Sequence, residues 1–226
     1  MVELTLVLPV HNEADTIVSF VRRVRETLKV LNVSFEIICV ENGSTDQSYE
    51  LLTGVSGRLK DVRVIRSKLG WGNAVRQGLK HANGRLFCYM VSDGQIDPKC
   101  LPALYRRLKE ERVALVKVLR TTRENSVRSH LSRAYNVIAC RLFGFASRDI
   151  NATPKMLRTD LARQLKLSEK NIGIDLELLI RLNQRALRWV EIPIGSGKRT
   201  AGTSTTKIHS VWEMLRVMSS LVFRLH

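Results

Sequence analysis

Short apolar runs alternate with longer segments of helical periodicity along most of this chain. Apolar runs of four to eight residues bounded by turn residues are typical of buried strands. Such runs predict strands over residues 4–9, 35–40, 62–66, 86–90, 112–119 and 189–194. Apolar positions spaced by three and four predict helices over residues 17–31, from 46 onward, from the loop 68–73 through 82, and over 98–111, 128–143 and 169–185. After Asp149 the pattern loosens.

The alternation of strands and helices indicates the fold class. Strands that alternate with helices form βαβ units, whose crossovers are right-handed and whose strands are parallel. We therefore predict an α/β fold with a mostly parallel sheet flanked by helices. At 226 residues the chain can bury one substantial core, or a core domain with a small appendage.

The stretch Met90–Pro98 is the most informative in the chain. The apolar run 86–90 breaks there into Ser92-Asp93-Gly94-Gln95, which marks the carboxyl end of a strand. Ligands bind at that end of open α/β sheets, and carboxylate and amide oxygens are suitable ligands for a hard cation that carries phosphates. We predict that Asp93 and Gln95 face a nucleotide diphosphate.

Charge narrows the class of partner. The sequence has 37 Lys and Arg residues against 21 Asp and Glu, a formal net charge of +16. Such an excess indicates a polyanionic partner, which is nucleic acid, an anionic membrane surface or a phosphorylated substrate. Because neither clustered stacking aromatics nor a recognition motif accompanies the charge, we expect no nucleic-acid binding.

The cysteines and the hydropathy indicate the compartment. The four cysteines have no CxxC spacing, so we interpret them as free thiols in a reducing compartment. The N-terminal residues begin a strand and do not resemble a secretory signal. Since no apolar stretch reaches the ~18 to 20 residues of a membrane span, any membrane attachment is expected to be peripheral. We predict a cytoplasmic protein on the cytoplasmic face of a membrane.

The last segment, residues 208–226, predicts an amphipathic helix. Its polar positions form a narrow stripe, and nearly every residue between them is apolar. Such a helix is suited to lying in a membrane interface. The alternative is that its apolar face packs on the preceding domain or on a second subunit, and a homo-oligomer is one of the open options.

Five motifs appear in an order that resembles a known family. They are LVLPVHNE, ENGSTD, KLGWGNAVRQGL, SDGQIDP, and EIPI with KRTAGTS. Their order and spacing resemble the family 2 glycosyltransferases of the GT-A fold, a Rossmann-like α/β architecture. Within that family they are most similar to the dolichyl-phosphate mannose synthase and polyprenyl-phosphate glycosyltransferase branch. The resemblance covers about residues 3–207, so we expect a GT-A domain over 1–207 and a terminal helix over 208–226.

The resemblance implies a donor site for a nucleotide-diphosphate sugar, GDP- or UDP-linked. Glu41 matches an acidic residue that holds the base or ribose. The resemblance also implies that the glycine-rich loop lets the backbone approach the diphosphate. The residues that it places at the nucleotide are Pro9, Val10, Asn12, Glu13, Glu41, Gly70, Gly72, Ser92 and Asp93.

The metal motif is where this sequence departs from the family. The family has Asp-x-Asp, often followed by x-Gln, whereas this chain has Val91-Ser92-Asp93-Gly94-Gln95. Asp93 and Gln95 with phosphate oxygens and waters can complete an octahedron around Mg²⁺ or Mn²⁺. We expect weaker metal affinity. Asp97 either adds a carboxylate or caps the next helix.

Three arginines match the acceptor side of the family. In this branch such residues grip the phosphate of a lipid carrier and the donor diphosphate, and here they are Arg120, Arg133 and Arg199. Guanidinium groups suit phosphate oxygens geometrically. Asp149 matches an aspartate in a loop near the sugar. Glu177 either faces the acceptor or is simply exposed, and we favour the exposed position.

The resemblance implies an inverting glycosyltransferase that moves a sugar to a polyprenyl or dolichyl phosphate. A phosphate monoester already carries about −1.5 to −2 charges at neutral pH, so the attack requires no strong base. Asp93, Gln95, Arg120, Arg133 and Arg199 are the residues to which we assign catalysis. Two alternatives stay open: a soluble family 2 enzyme acting on a saccharide or protein hydroxyl, and a nucleotide-sugar-binding protein with weakened catalysis.

Overall fold

The computed structural model describes residues 1–121, 127–195 and 216–223. Seven strands form one sheet: β1 Leu4–Val10, β2 Phe35–Glu41, β3 Val62–Arg66, β4 Leu86–Tyr89, β5 Leu115–Arg120, β6 Lys155–Arg158 and β7 Trp189–Ile194. The α-helices are α1 Ile17–Lys29, α2 Ser48–Ser56, α3 Trp71–His81, α4 Leu101–Glu110, α5 Val127–Phe143, α6 Thr159–Gln164, α7 Gly173–Asn183 and α8 216–223.

The sheet has the order β3-β2-β1-β4-β6-β5-β7. Strand β6 pairs antiparallel with both of its neighbours, and the other strand pairs are parallel. The predicted α/β class is therefore confirmed. The chain runs from β1 outward to β2 and β3, and then returns to place β4 on the other side of β1. This reversal creates a crevice between the carboxyl ends of β1 and β4.

Helices cover both faces of the sheet. Helices α1, α2 and α4 pack on one face, and α3, α5, α6, α7 and α8 pack on the other. Every residue of β1 is buried, as expected for a central parallel strand covered on both sides. Pro9 lies near the end of β1, beyond the last residue pair with β4, which is Val7 with Tyr89.

The region after Asp149 contains two elements that the sequence pattern did not predict. Strand β6 has four residues and helix α6 has six, too few for periodicity to register. The predicted helix 169–185 begins four residues later, at Gly173. The residues before it form an irregular segment that contacts the start of α3.

Helix α8 packs on the domain. Met218 and Leu221 are buried in the same apolar cluster as α7. A side chain at Gly173 would overlap Val217, so α8 approaches α7 at a residue that has none. For 216–223 the structure thus matches the packing alternative, and the rest of 208–226 lies outside the described residues. The boundary predicted at residue 207 stays a prediction.

Two further features of the described residues are the state of the cysteines and the length of the apolar helices. The cysteines are free thiols, three of them buried and Cys140 half-buried. Within the described ranges, none of the helices is long and apolar enough to cross a membrane.

We expect Gly78→Ala to destabilise the fold by about 1–3 kcal/mol, because a β-carbon there would overlap the methyl groups of Val7 in β1. Gly54→Ala in α2 is the matched control. A β-carbon at Gly54 would meet open space, so this substitution should raise the free energy of unfolding by up to about 1 kcal/mol through helix propensity. Urea unfolding of both variants measures the difference. Equal effects would contradict the close packing of α3 on β1.

Candidate active site

The crevice between β1 and β4 is closed at its base by a side-chain contact. The Ser92 hydroxyl donates to the backbone oxygen of Pro9 at 2.9 Å. Both residues lie at the crevice, and Val10 is the last residue of β1. Ser92 and Val10 are buried, so Val10 offers a ligand mainly its backbone. The structure therefore places Pro9, Val10 and Ser92, three of the predicted donor-site residues, at the carboxyl edge of the sheet.

Asp93 and Gln95 form a tight turn directly after β4. The Asp93 Oδ1 atom accepts the Gln95 amide at 3.1 Å, and Gly94 between them has a φ of 74°. The turn holds the buried Asp93 carboxylate at the crevice. Asp97 accepts the Lys99 amide at 3.1 Å and caps the 3₁₀ turn that follows, as one of its two interpretations predicted.

The donor atoms at this turn fit a hard cation only with help from a ligand. No group of three or more His, Cys, Asp or Glu side chains suited to a metal occurs in the described part of the chain. Mg²⁺ in proteins is often bound through one or two carboxylates together with substrate phosphates. Asp93 and Gln95 fit that kind of site, with Val91 where the family has its first Asp.

The half-buried Arg120 forms a bidentate ion pair with the buried Asp149. The Arg120 Nε and Nη2 atoms donate to the two carboxylate oxygens at 2.7 and 2.9 Å. Burial lowers the pKa of Arg120, but the hydrogen bonds and charge of Asp149, with smaller effects from Asp175 and Asp93, raise it above its usual value. Arg120 therefore stays charged, with its guanidinium plane fixed and within electrostatic reach of Asp93.

Asp175, at the start of α7, is a buried carboxylate that no sequence motif indicated. It accepts hydrogen bonds from Trp71 Nε1 at 3.1 Å and from the Tyr89 hydroxyl at 2.8 Å, and it pairs with Lys155. Burial lowers the pKa of Lys155 to about 8, although Asp175 opposes this. The sequence signal for this cluster is a lysine directly before the apolar pair Met156 and Leu157 of β6.

A second buried lysine lies beside the first. Lys117 on β5 is in register with Lys155 on β6. Its Nζ atom donates to the Asp149 backbone oxygen at 2.6 Å and to Glu191 at 3.0 Å. Each buried cation beneath the carboxyl edge of the sheet thus has a carboxylate partner, as burial of charge requires.

The glycine-rich loop packs against the segment before α7. A β-carbon on Gly70 would lie 2.5 Å from the Lys170 backbone oxygen, and one on Gly72 would overlap the Glu169 backbone. The Asn73 amide donates to the same Lys170 oxygen at 2.8 Å. Both glycines are therefore explained by close contact within the chain. Their approach to a diphosphate stays a prediction.

Glu177 holds that supporting segment in place, and the expectation that it is exposed is wrong. It is fully buried. It accepts the Ser168 amide and the Glu169 amide, both at 2.8 Å, and the Ser168 hydroxyl at 2.9 Å. Arg181 completes the set at 2.8 Å, one turn along α7. The carboxylate is buried because these donors replace water.

Comparison with known proteins identifies the family of this chain. The family model for glycosyl transferase family 2 matches residues 5–168. The chain belongs to glycosyl transferase family 2. It is also similar to undecaprenyl-phosphate 4-deoxy-4-formamido-L-arabinose transferases of Yersinia pestis and Klebsiella pneumoniae, at 27% identity over 97% of this chain. The chain spans 66% of the length of those relatives.

Solved structures agree with the GT-A expectation for this family 2 chain. Glucosyl-3-phosphoglycerate synthase from Mycobacterium tuberculosis, in complex with Mn²⁺, UDP and phosphoglyceric acid, matches with a TM-score of 0.76 at 21% identity. The match covers 98% of this chain and 78% of that one. A complex of the same synthase with Mn²⁺, UDP and glucosyl-3-phosphoglycerate has a TM-score of 0.74. The predicted fold and the predicted family, glycosyl transferase family 2, are confirmed.

The first two loops of this family 2 domain are held together by polar side chains. Asn12 Oδ1 accepts the Thr45 amide at 2.8 Å, and Glu41 accepts the Ser44 amide and pairs with Arg66 at 3.4 Å. Glu13 accepts the Thr16 hydroxyl at 3.3 Å before α1. These contacts fix the loops that follow β1 and β2 relative to each other. Direct contact of Asn12, Glu13 and Glu41 with a nucleotide stays a prediction.

Of the two predicted arginines that the structure describes, Arg120 lies beside Asp149 in the cluster of charged side chains. Arg133 is exposed on α5, and Arg199 lies outside the described residues.

We expect Glu177→Ala to lower the free energy of unfolding by about 3 kcal/mol or more, because Arg181 and three backbone or hydroxyl donors lose their acceptor. Arg158→Ala removes an exposed ion pair with Asp160 and should cost at most about 1 kcal/mol. Urea titration compares the two variants. Similar losses would mean that Glu177 does not anchor the segment 168–169.

Proposed function

We propose that this chain transfers a sugar from a nucleotide-diphosphate sugar to a polyprenyl phosphate, with inversion at the anomeric carbon. The observation that supports this most is the fixed Arg120 guanidinium, held by Asp149 and acted on by the charge of Asp93. This arrangement brings a group suited to binding phosphate within electrostatic reach of a carboxylate suited to binding a metal. The names of the undecaprenyl-phosphate transferases to which the chain is similar support the same acceptor class.

The donor half of the site is assigned to the crevice between β1 and β4. Asp93 and Gln95 would hold Mg²⁺ or Mn²⁺, which neutralises a leaving diphosphate when bound. Pro9, Val10 and Ser92 line the base of the crevice. The donor is a GDP- or UDP-linked sugar. The complexes of the synthase with Mn²⁺ and UDP support a metal and a nucleotide of this kind.

The acceptor half is assigned to the arginines. The bidentate pair with Asp149 uses Nε and Nη2 of Arg120 and orients Nη1 of the same group. Arg133 and Arg199 would complete the grip on the phosphate of the lipid carrier. That phosphate attacks in line, and because it is already anionic its attack needs no side chain to remove a proton.

The second candidate function is a nucleotide-sugar-binding protein with weakened catalysis. The observation that favours it is Val91, which replaces a carboxylate of the metal motif. Transfer to a saccharide or protein hydroxyl ranks lower, since such a reaction needs a general base. The buried carboxylates Asp149 and Asp175 are poor candidates for that base, because each is paired with a cation.

The place of action follows from the acceptor. A polyprenyl phosphate keeps its headgroup at the membrane surface, so we assign the protein to the cytoplasmic face of a membrane, attached peripherally. The net charge of +16 favours an anionic surface. A homo-oligomer is compatible with this assignment.

The deciding experiment is transfer from a panel of radiolabelled nucleotide sugars to polyprenyl phosphate in detergent, with and without Mn²⁺ or Mg²⁺. We expect metal-dependent label in the lipid fraction with at least one donor. Asp93→Ala should lower it by at least about 10²-fold, the size of effect seen when a charge-stabilising group is removed. Arg120→Lys should also lower it, since lysine lacks the planar fork.

Arg158→Ala is the control and should transfer sugar normally. Arg158 is exposed and pairs with Leu86, at the end of β4 away from the crevice. Thermal melts of each variant separate loss of chemistry from loss of folding. Nucleotide binding without label from any donor would sink the lipid-phosphate acceptor and leave the binding-protein candidate.

A further inference from the structure

Helix α5 carries an apolar face that the described chain leaves exposed. Tyr135, Asn136 and Ala139 point into the domain. On the opposite side, large apolar residues are each between 44% and 49% exposed, although leucine, isoleucine and valine normally bury most of their surface. They are Leu131, Val137, Ile138 and Leu142, and Ala134 lies among them.

The charges on this helix have one sign. Its sequence, VRSHLSRAYNVIACRLF, contains arginines and a histidine and has neither Asp nor Glu. Arg133 and Arg141 are exposed, and at helical spacing Arg141 lies among the apolar residues while Arg133 lies at the edge of the face, one turn before Val137. An exposed apolar face bordered by arginines is the pattern of a helix that lies in the interface of an anionic membrane.

A second copy of the chain fits this face less well than a lipid surface does. A two-fold interface brings the same patch from both subunits together, so Arg133 and Arg141 would face arginines of the other copy. The helix supplies no carboxylate to offset that repulsion. Anionic headgroups supply negative charge beside an apolar layer, and so complement both features of the face.

We propose that the exposed face of α5 docks on an anionic lipid surface. This rests on the proposed function, because it places the acceptor membrane beside Arg133. The buried side of the same helix reaches the active site: Asn136 Nδ2 donates to the Arg148 backbone oxygen at 3.0 Å, and its Oδ1 accepts the Ile150 amide at 3.2 Å. These bonds flank Asp149, so docking of α5 is connected to the residue that orients Arg120.

The test is sedimentation of the full chain with vesicles of phosphatidylcholine and phosphatidylglycerol, and with phosphatidylcholine alone. We expect binding to the anionic vesicles and much less to the neutral ones. The double variant Ile138→Gln with Leu142→Gln should lower the partition coefficient at least about tenfold through lost apolar burial. Arg141→Gln should lower it about fivefold, the effect of one cation near an anionic surface.

Leu51→Gln is the matched control, since Leu51 is an exposed leucine of α2 on the other face of the sheet. It should bind vesicles like the wild type. Loss of binding in the α5 variants with the control unchanged supports the proposal. Equal binding by all variants, or no binding by the wild type, overturns it. So does light scattering that shows a dimer which the double variant converts to monomer without changing lipid binding.

A transfer assay with a short-chain, water-soluble polyprenyl phosphate keeps this test separate from that of the proposed function. If the double variant loses vesicle binding and keeps transfer to the soluble acceptor, both proposals hold. If vesicle binding depends on α5 and no protein transfers sugar, the function fails while the docking surface stands. If transfer occurs and vesicle binding does not depend on α5, the docking surface fails alone.

Discussion

The buried carboxylate of Asp175 is the interaction on which the site depends most. An ionised carboxylate inside a protein is costly unless several donors replace its water. Here the donors are Lys155, Tyr89 and Trp71, which come from β6, β4 and the first turn of α3. One helix residue therefore fixes the middle of the sheet relative to the glycine-rich loop.

A second pair extends this arrangement across the antiparallel strand. Because β6 lies between β4 and β5, it brings Lys155 into register with Lys117 on one side and Tyr89 on the other. Lys117 then supports the backbone of Asp149, and Asp149 orients Arg120. Buried side chains therefore connect the end of β4 with the end of β5, in addition to the backbone pairing of the strands.

The sequence predicted the fold where periodicity and apolar runs were long, as in β1 and α1. It did not predict β6, because four residues beginning with a lysine do not register as a buried strand. Glu177 was misjudged because an exposed glutamate is the commoner case, and its donors come from a turn whose position no local pattern encodes. Motif order placed Asp93 correctly at the edge, whereas the role of Asp175 emerged only when distant strands met.

Gly173 connects the terminal helix to the same centre. It begins α7 two residues before Asp175, and it is where Val217 of α8 lies against the domain. The contact between α8 and α7 therefore lies within one helical turn of Asp175, whose carboxylate accepts a hydrogen bond from Trp71. The packing of α8 and the position of the glycine-rich loop are therefore both tied to the first turn of α7.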